Sequence, residues 1–305
     1  MQRIFVGDVQ GCADELEELL ARARSSFGDR FEVWWVGDLV NRGPGSLRAL
    51  ELARKYVESG RGQVVLGNHE IGLLKTWAGL RRLRATDTTG DVLESPDVEG
   101  WVDWLRRRPL ALCGELEGQG FAMVHAAVHP DWSLRDVAEA SHRVEARLAA
   151  PGRDELRAAL AADPAQDAEA DLLGRFTECR SIAPDGRWSR ELPAERGDAW
   201  HRHWAARDHD YGVVYGHWAL QGLHVASGLR GLDTGCVHHG RDHDGFLTAW
   251  LPGHAEPDST RSHDRVFGIP DDRFWKIAAR RQYYGFDSDA APRVPADSTT
   301  KTVGG

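Results

Sequence analysis

The sequence predicts a mixed α/β fold of the α+β kind, and three observations carry that expectation. The first third of the chain alternates strand, helix, strand, helix and strand. A stretch rich in Ala, Glu, Asp and Arg then spans 133–171. Strand character returns between Val213 and Leu251. Strand–helix alternation favours a parallel βαβαβ opening, and the late strands suit a second sheet.

Each element has its own signal. Residues 3–6 read as a buried strand. Residues 14–24 show helical spacing, with Leu16, Leu19, Leu20 and Ala23 on one side. Residues 32–36 form the next strand, and 46–57 a helix with Ser46 as its cap after Gly45. A third strand covers 63–66. Residues 71–83 and 97–107 read as helices. Residues 110–116 and 120–124 pair as a hairpin over Glu117, Gly118 and Gln119. The 133–171 stretch predicts two or three amphipathic helices, a cap inserted into the core at about 131–212. Residues 174–212 read as loop-rich. Strands follow at 213–215, 223–226, 229–232 and 246–251. The expected organisation is a core over 1–251, an extension over 252–286 and a disordered tail over 287–305, where Ser, Thr, Pro, Asp and Gly dominate.

A length of 305 residues suits one large domain or two modest ones. The net charge of -9 argues against a non-specific nucleic-acid or membrane binder. Neither a stable nucleic-acid complex nor a membrane partner is therefore expected. The chain opens on a strand, MQRIFVGD, with no signal-peptide pattern, and it holds no apolar run of about 18 residues. Cys12, Cys113, Cys179 and Cys236 lie far apart without metal-knuckle spacing, so a reducing cytoplasm is the expected setting.

Five short strings hold the chemistry: GDVQG at 7–11, GDLVNRGP at 37–44, GNHE at 67–70, VHA at 124–126 and GHW at 216–218. Each ends a predicted strand, where open α/β sheets place their ligand crevice. Asp8 and Asp38 offer carboxylates, Asn68 an amide oxygen, and His125 and His217 imidazoles. Taken singly, each has a bland reading as a turn or core residue. Taken together, they form an oxygen-and-imidazole set of the kind that binds divalent metals. Glycines 7, 11, 37, 67 and 216 flank them and permit close approach.

Two metals about 3.5–4 Å apart polarise a phosphoryl oxygen and activate a bridging water. The leaving group then needs a proton, and His69, next to Asn68, is the candidate acid. Glu70 or Asn41 could orient its ring, and the sequence does not choose between them. Arg42, four residues beyond Asp38, offers a forked grip on phosphate. Gln10 stands where a second strong ligand would be expected.

The strings, in this order and spacing, resemble the phosphoprotein-phosphatase branch of the metallophosphoesterases. Within it they resemble the bacterial symmetrical diadenosine tetraphosphatases most. GDVQGCADELEELL, GDLVNRGPGSLRAL, VVLGNHE, MVHAAVHPDW, VYGHWALQGL and GLDTGC carry the resemblance over roughly 1–251. FTECRSIAPDGRW at 176–188 is a looser match.

The resemblance implies a β-sandwich flanked by helices. It also implies symmetrical hydrolysis of diadenosine tetraphosphate and related dinucleoside polyphosphates to two nucleoside diphosphates. Two divalent metals would serve, manganese first, with cobalt, iron or zinc as alternatives. Asp8, Gln10 and Asp38 would surround the first metal. Asp38, Asn68, His125 and His217 would surround the second, with Asp38 bridging. His69 would be the acid, Arg42 and Arg180 phosphate contacts, and Trp132 a wall of the substrate cleft. Trp188, Trp200, Trp204 and Trp218 could stack on a base, and capped RNA ends are a further candidate substrate.

Three departures stand out. The branch usually has His at Gln10, Arg at Leu66 and Asp at Asn41. The last two weaken a protein-phosphatase reading, although GNHE with Glu70 is typical of those enzymes. Two other readings remain beside the dinucleotide hydrolase. One is a phosphomonoesterase acting on phosphoproteins. The other is a dinucleotide sensor with a first metal site impaired by Gln10.

Overall fold

The computed structural model describes residues 1–193, 198–240, 244–254 and 265–283. The expected disordered tail at 287–305 lies outside the described residues, as does His263. In order, the elements are β1 (Gln2–Val6), α1 (Ala13–Phe27), β2 (Phe31–Trp35), α2 (Ser46–Glu58), β3 (Gly62–Val64), α3 (Asn68–Trp77), α4 (Gly90–Leu93) and α5 (Val98–Arg106). The hairpin β4 (Ala111–Leu116) and β5 (Gln119–Val124) follows, then helices α6 (Leu134–Leu148), α7 (Arg153–Ala161) and α8 (Ala168–Glu178). Short strands β6 (Ser181–Ile182), β7 (Trp188–Ser189) and β8 (Asp198–Ala199) precede α9 (Trp200–Ala205). The chain then forms β9 (Tyr211–Tyr215), β10 (His224–Ala226), β11 (Leu229–Gly231), β12 (Asp233–Thr234), β13 (Phe246–Trp250) and β14 (Phe274–Ala278).

Two sheets make the core. In the first, β1, β2 and β3 are parallel neighbours, as the alternation predicted, and β13 joins β1 antiparallel. In the second the order is β10-β11-β9-β5-β4, with β5, β9 and β11 parallel. Period-two alternation explains why the sheets stack. On β1, Phe5 points into the layer between the sheets, while Ile4 and Val6 face the helices. On β5, Phe121 and Met123 point inward, while Ala122 and Val124 face outward. Phe5 meets Phe121 edge-on at 5.5 Å across this layer, and Trp250, its partner on the neighbouring strand β13, at 5.4 Å. The β-sandwich flanked by helices is thus present.

Several expectations change. Strand β13 was grouped with a second sheet, but it pairs with β1 in the first. The chain beyond 251 also belongs to the core: β14 pairs with β13. Its approach is anchored by Asp271, which accepts from Arg230 of β11 and from the indole of Trp250, each at 2.9 Å. Trp275 stacks on Phe27 at 5.7 Å and is a core residue, with His254 edge-on to the same ring.

Helix α6 packs on the core. Its Val137 and Val144 join the core, and its Ser141 hydroxyl accepts the N–H of Ala111 at 2.8 Å. The loop-rich segment 174–212 contains a three-stranded sheet, β7-β6-β8, too short for periodicity to reveal. Ser46 does not cap α2; Gly45 holds that position, and the Ser46 hydroxyl accepts the N–H of Asn41 at 2.9 Å instead. Helix α3 begins three residues earlier than expected, because Glu70 accepts the N–H of Gly67 at 2.9 Å and closes the first turn. Among the described residues, no helix is long and apolar enough to cross a membrane.

Candidate active site

The ends of β1, β2, β3, β5 and β9 converge, and the five strings meet there. Backbone hydrogen bonds knit the loops together. Val9 and Gln10 donate to the carbonyl of Asp38 at 3.1 and 2.7 Å, and Gly216 donates to that of His125 at 2.9 Å. Five site residues adopt left-handed backbone: Gln10, Asp38, Asn41, Arg42 and His217, with φ from 46° to 78°. Non-glycine residues avoid that region unless their surroundings impose it, and such strain concentrates at functional sites. The two sheets hold these side chains in one place despite it.

Ligand atoms of Asp8, Asp38 and His125 lie within 4.8 Å of one another, and all three residues are buried. Nδ1 of His125 donates to the carbonyl of Val36 at 2.9 Å, so its Nε2 is a lone-pair atom. That Nε2 sits 3.0 Å from Oδ1 of Asn68 and 3.4 Å from Oδ1 of Asp38. Nε2 of His217 donates to the carbonyl of Glu178 at 3.1 Å, leaving its Nδ1 as a lone pair 2.8 Å from the same Asn68 oxygen. Burial lowers the pKa of both histidines and keeps these lone pairs free.

Lone pairs therefore face one another without protons between them, and divalent cations are the chemistry that reconciles such a set. The carboxylates make the same demand. Burial, then Asp233 and Asp38, raise the pKa of Asp8 well above its usual range. Burial, then Asp38, raise that of Glu70 to about 8. Residues and divalent metals fit.

Of the two residues that could orient the His69 ring, Glu70 is not the one that touches it. It is fully buried and accepts four backbone N–H groups: Asp38 at 2.8 Å, Leu39 at 2.8 Å, Val40 at 3.2 Å and Gly67 at 2.9 Å. It shapes the Asp38 loop and does not touch the His69 ring. Asn41 does, through Nδ2 to Nδ1 at 2.8 Å. Nε2 of His69 lies 3.7 Å from Oδ2 of Asp38. Arg42 stands close enough for its charge to depress the His69 pKa, after burial as the larger cause. Arg180 is drawn inward by its bonds to the carbonyls of Arg190 and His217, at 2.9 and 3.4 Å. There it faces Asp233, Asp38 and Asp8.

Gln10 reaches Asp38, but with its amide nitrogen, at 3.4 Å from Oδ2. Trp132 is the predicted residue that the structure places elsewhere. Its ring stacks on His129 at 5.5 Å and packs on Phe176, lining a depression with Pro130, Asp131, His209 and Tyr211. None of the predicted ligands lines that depression. Trp200 and Trp204 are core residues, and Trp188 is tied to Asp171 at 2.7 Å. Trp218, next to His217 in the chain, is half-buried, with its ring 5.8 Å from that of His201.

Asp233 was missed as a site residue. It is buried on β12, and Gly235 donates to its Oδ1 at 3.0 Å, while Oδ2 has no hydrogen-bond partner among the described residues. Burial is the main cause that raises its pKa, to about 6. The signal was available: GLDTGC, like GDVQG, sets a carboxylate between two nearby glycines.

Comparison with known proteins follows the same lines. The calcineurin-like phosphoesterase family matches residues 1–148. The symmetrical bis(5'-nucleosyl)-tetraphosphatase of Ralstonia nicotianae is 38% identical over 251 residues, 77% of this chain and 86% of that protein. Its Vibrio cholerae namesake is 35% identical over 257 residues, 79% and 93% of the two chains. Among solved structures, that of a proposed diadenosine tetraphosphatase superposes with a TM-score of 0.57, at 24% identity, covering 91% of this chain and 93% of that one. That likeness speaks to the fold.

Proposed function

Because the chain belongs to the symmetrical bis(5'-nucleosyl)-tetraphosphatase family, we propose that it hydrolyses diadenosine tetraphosphate and related dinucleoside polyphosphates to two nucleoside diphosphates. One observation carries this reading to the site: the lone pairs of Asp8, Asp38, Asn68, His125 and His217 converge beside the Nε2 face of His69.

Asp38, Asn68, His125 and His217 would hold one divalent ion, and Asp8 and Asp38, with Gln10 at the rim, a second. When bound, such ions supply Lewis-acid polarisation of the phosphoryl group and activate the attacking water. Mixed oxygen and imidazole donors suit manganese, with cobalt, iron and zinc as alternatives. Arg42 and Arg180 hold the phosphate chain and offset its charge. His69 offers its Nε2 proton to the departing oxygen. Trp218 offers a face to a nucleobase. RNA ends capped through the same polyphosphate linkage present the same reacting group and fall in this substrate class. The four free thiols suit a cytoplasmic setting.

The test is turnover of diadenosine tetraphosphate during metal titration, wild type against His69→Ala. A loss of kcat of about 10²–10⁴ is expected. Unchanged kcat would remove His69 as the donor.

A further inference from the structure

Cys12, Glu15 and Cys236 form a second cluster of ligand atoms, separate from the set that holds Asp8, Asp38 and His125. The two sulfurs and a carboxylate oxygen lie within 4.8 Å of one another, and all three residues are buried. Cys12 and Glu15 stand in the first turn of α1, three residues apart and so on one face of the helix. The Cys12 side chain makes no capping bond to that helix. Cys236 opens the 3₁₀ turn Cys236–His238 that follows β12.

Glu15 is wholly buried with only one of its oxygens satisfied. Oε1 accepts the N–H of Arg280 at 2.8 Å and the phenol of Tyr283 at 2.7 Å. Oε2 has no hydrogen-bond partner among the described residues. Burying a carboxylate oxygen without a donor is costly, and a bound cation removes the cost. Two donors on Oε1 fix the group and leave Oε2 as the lone-pair atom, which is how ligating carboxylates are commonly supported.

Two thiols beside such a carboxylate match the donor chemistry of zinc, which takes sulfur and oxygen ligands in a tetrahedron. Zinc–sulfur bonds of about 2.3 Å set two sulfurs roughly 3.8 Å apart, within the spread of this cluster. Gly11 and Ala13, which flank Cys12, and Tyr283 line a depression of about 450 Å³. It gives an ion a route in and a water the fourth position.

We propose that Cys12, Glu15 and Cys236 form a zinc-binding site chemically distinct from the candidate active site. It offers thiolates where the active site offers imidazole, amide and carboxylate groups, so manganese, a harder ion, does not compete for it. The thiol protons pass to solvent as the ion binds. Bound there, zinc ties together two loops that carry buried carboxylates: Cys12 follows the loop of Asp8, and Cys236 lies three residues beyond Asp233. Through Glu15 it also anchors the segment that holds Arg280 and Tyr283.

The test is a titration of the reduced full-length protein with cobalt(II), which takes zinc's place and gives an intense near-ultraviolet charge-transfer band on thiolate ligands. Wild type should show the band, saturating at one equivalent, and zinc should bleach it while excess manganese leaves it. Cys12→Ser and Cys236→Ser should each halve it, and Glu15→Gln should weaken zinc binding at least about tenfold. With manganese saturating, zinc should still raise the Tm of wild type but not that of Cys12→Ser.

A wild-type spectrum without the band overturns the proposal whether or not any variant folds. So does a band that Cys12→Ser and Cys236→Ser leave at full height, because Cys113 or Cys179 would then be the ligand. Unchanged zinc affinity in Glu15→Gln removes the carboxylate from the site, and a wild-type Tm that zinc does not move removes the tie between the loops.

Discussion

Glu70 accepts the backbone N–H of Asp38 at 2.8 Å, although both residues carry buried carboxylates. The bond fixes the loop that aims Asp38, and it concentrates negative charge where Asp8 and Asp233 also lie.

That concentration makes the stability of the metal-free protein depend on pH. The folded pKa of Glu70, about 8, exceeds its ordinary 4.5. A raised pKa means that the folded state keeps a proton the unfolded state has released, so the contribution fades as pH rises through the folded value. Burial lowers the pKa of His69, His125 and His217, which act in the opposite sense, but only near and below the ordinary histidine value of 6.5. Thermal melts of metal-free protein should therefore show Tm falling between pH 6.5 and 8.5, and divalent metal should abolish the slope. A flat or rising Tm without metal would contradict the charge cluster.

Gln10 turns its amide nitrogen toward Asp38, which contributes a donor where an ion needs a lone pair. Gln10→His should tighten the weaker of two metal-binding steps by about tenfold or more in calorimetric titration and leave the tighter step unchanged. Equal affinities in both proteins would show that position 10 takes no part in metal binding.

Gly216 lies so close to Asp8 that a Cβ there would collide with its carboxylate and approach Val36 to 2.7 Å. Gly216→Ala should displace Asp8 and weaken both metal-binding steps, because His217, the next residue, donates its backbone N–H to Asp8 at 3.1 Å and belongs to the other ligand set. Measured metal content identical to wild type would mean that the loop relaxes around the methyl group.

The sequence announced this site well because its residues sit at strand ends, where local pattern and topology coincide. Asp8, Asp38, Asn68, His125 and His217 come together as their motifs implied. Trp132 does not join them: proximity in sequence to His125 does not decide which way a loop turns after its strand. The roles of Glu70 and Asn41 stayed open because hydrogen-bond direction depends on neighbours distant in sequence, Thr88 and Asp87 among them. The place of β14 was hidden for a similar reason. Its five residues pair with a strand more than twenty positions earlier, and no local pattern specifies the partner.

Product analysis after complete turnover of diadenosine tetraphosphate tests the central claim most directly. A site that holds the phosphate chain symmetrically and expels a nucleoside diphosphate yields ADP alone. Equal amounts of ATP and AMP would contradict the account.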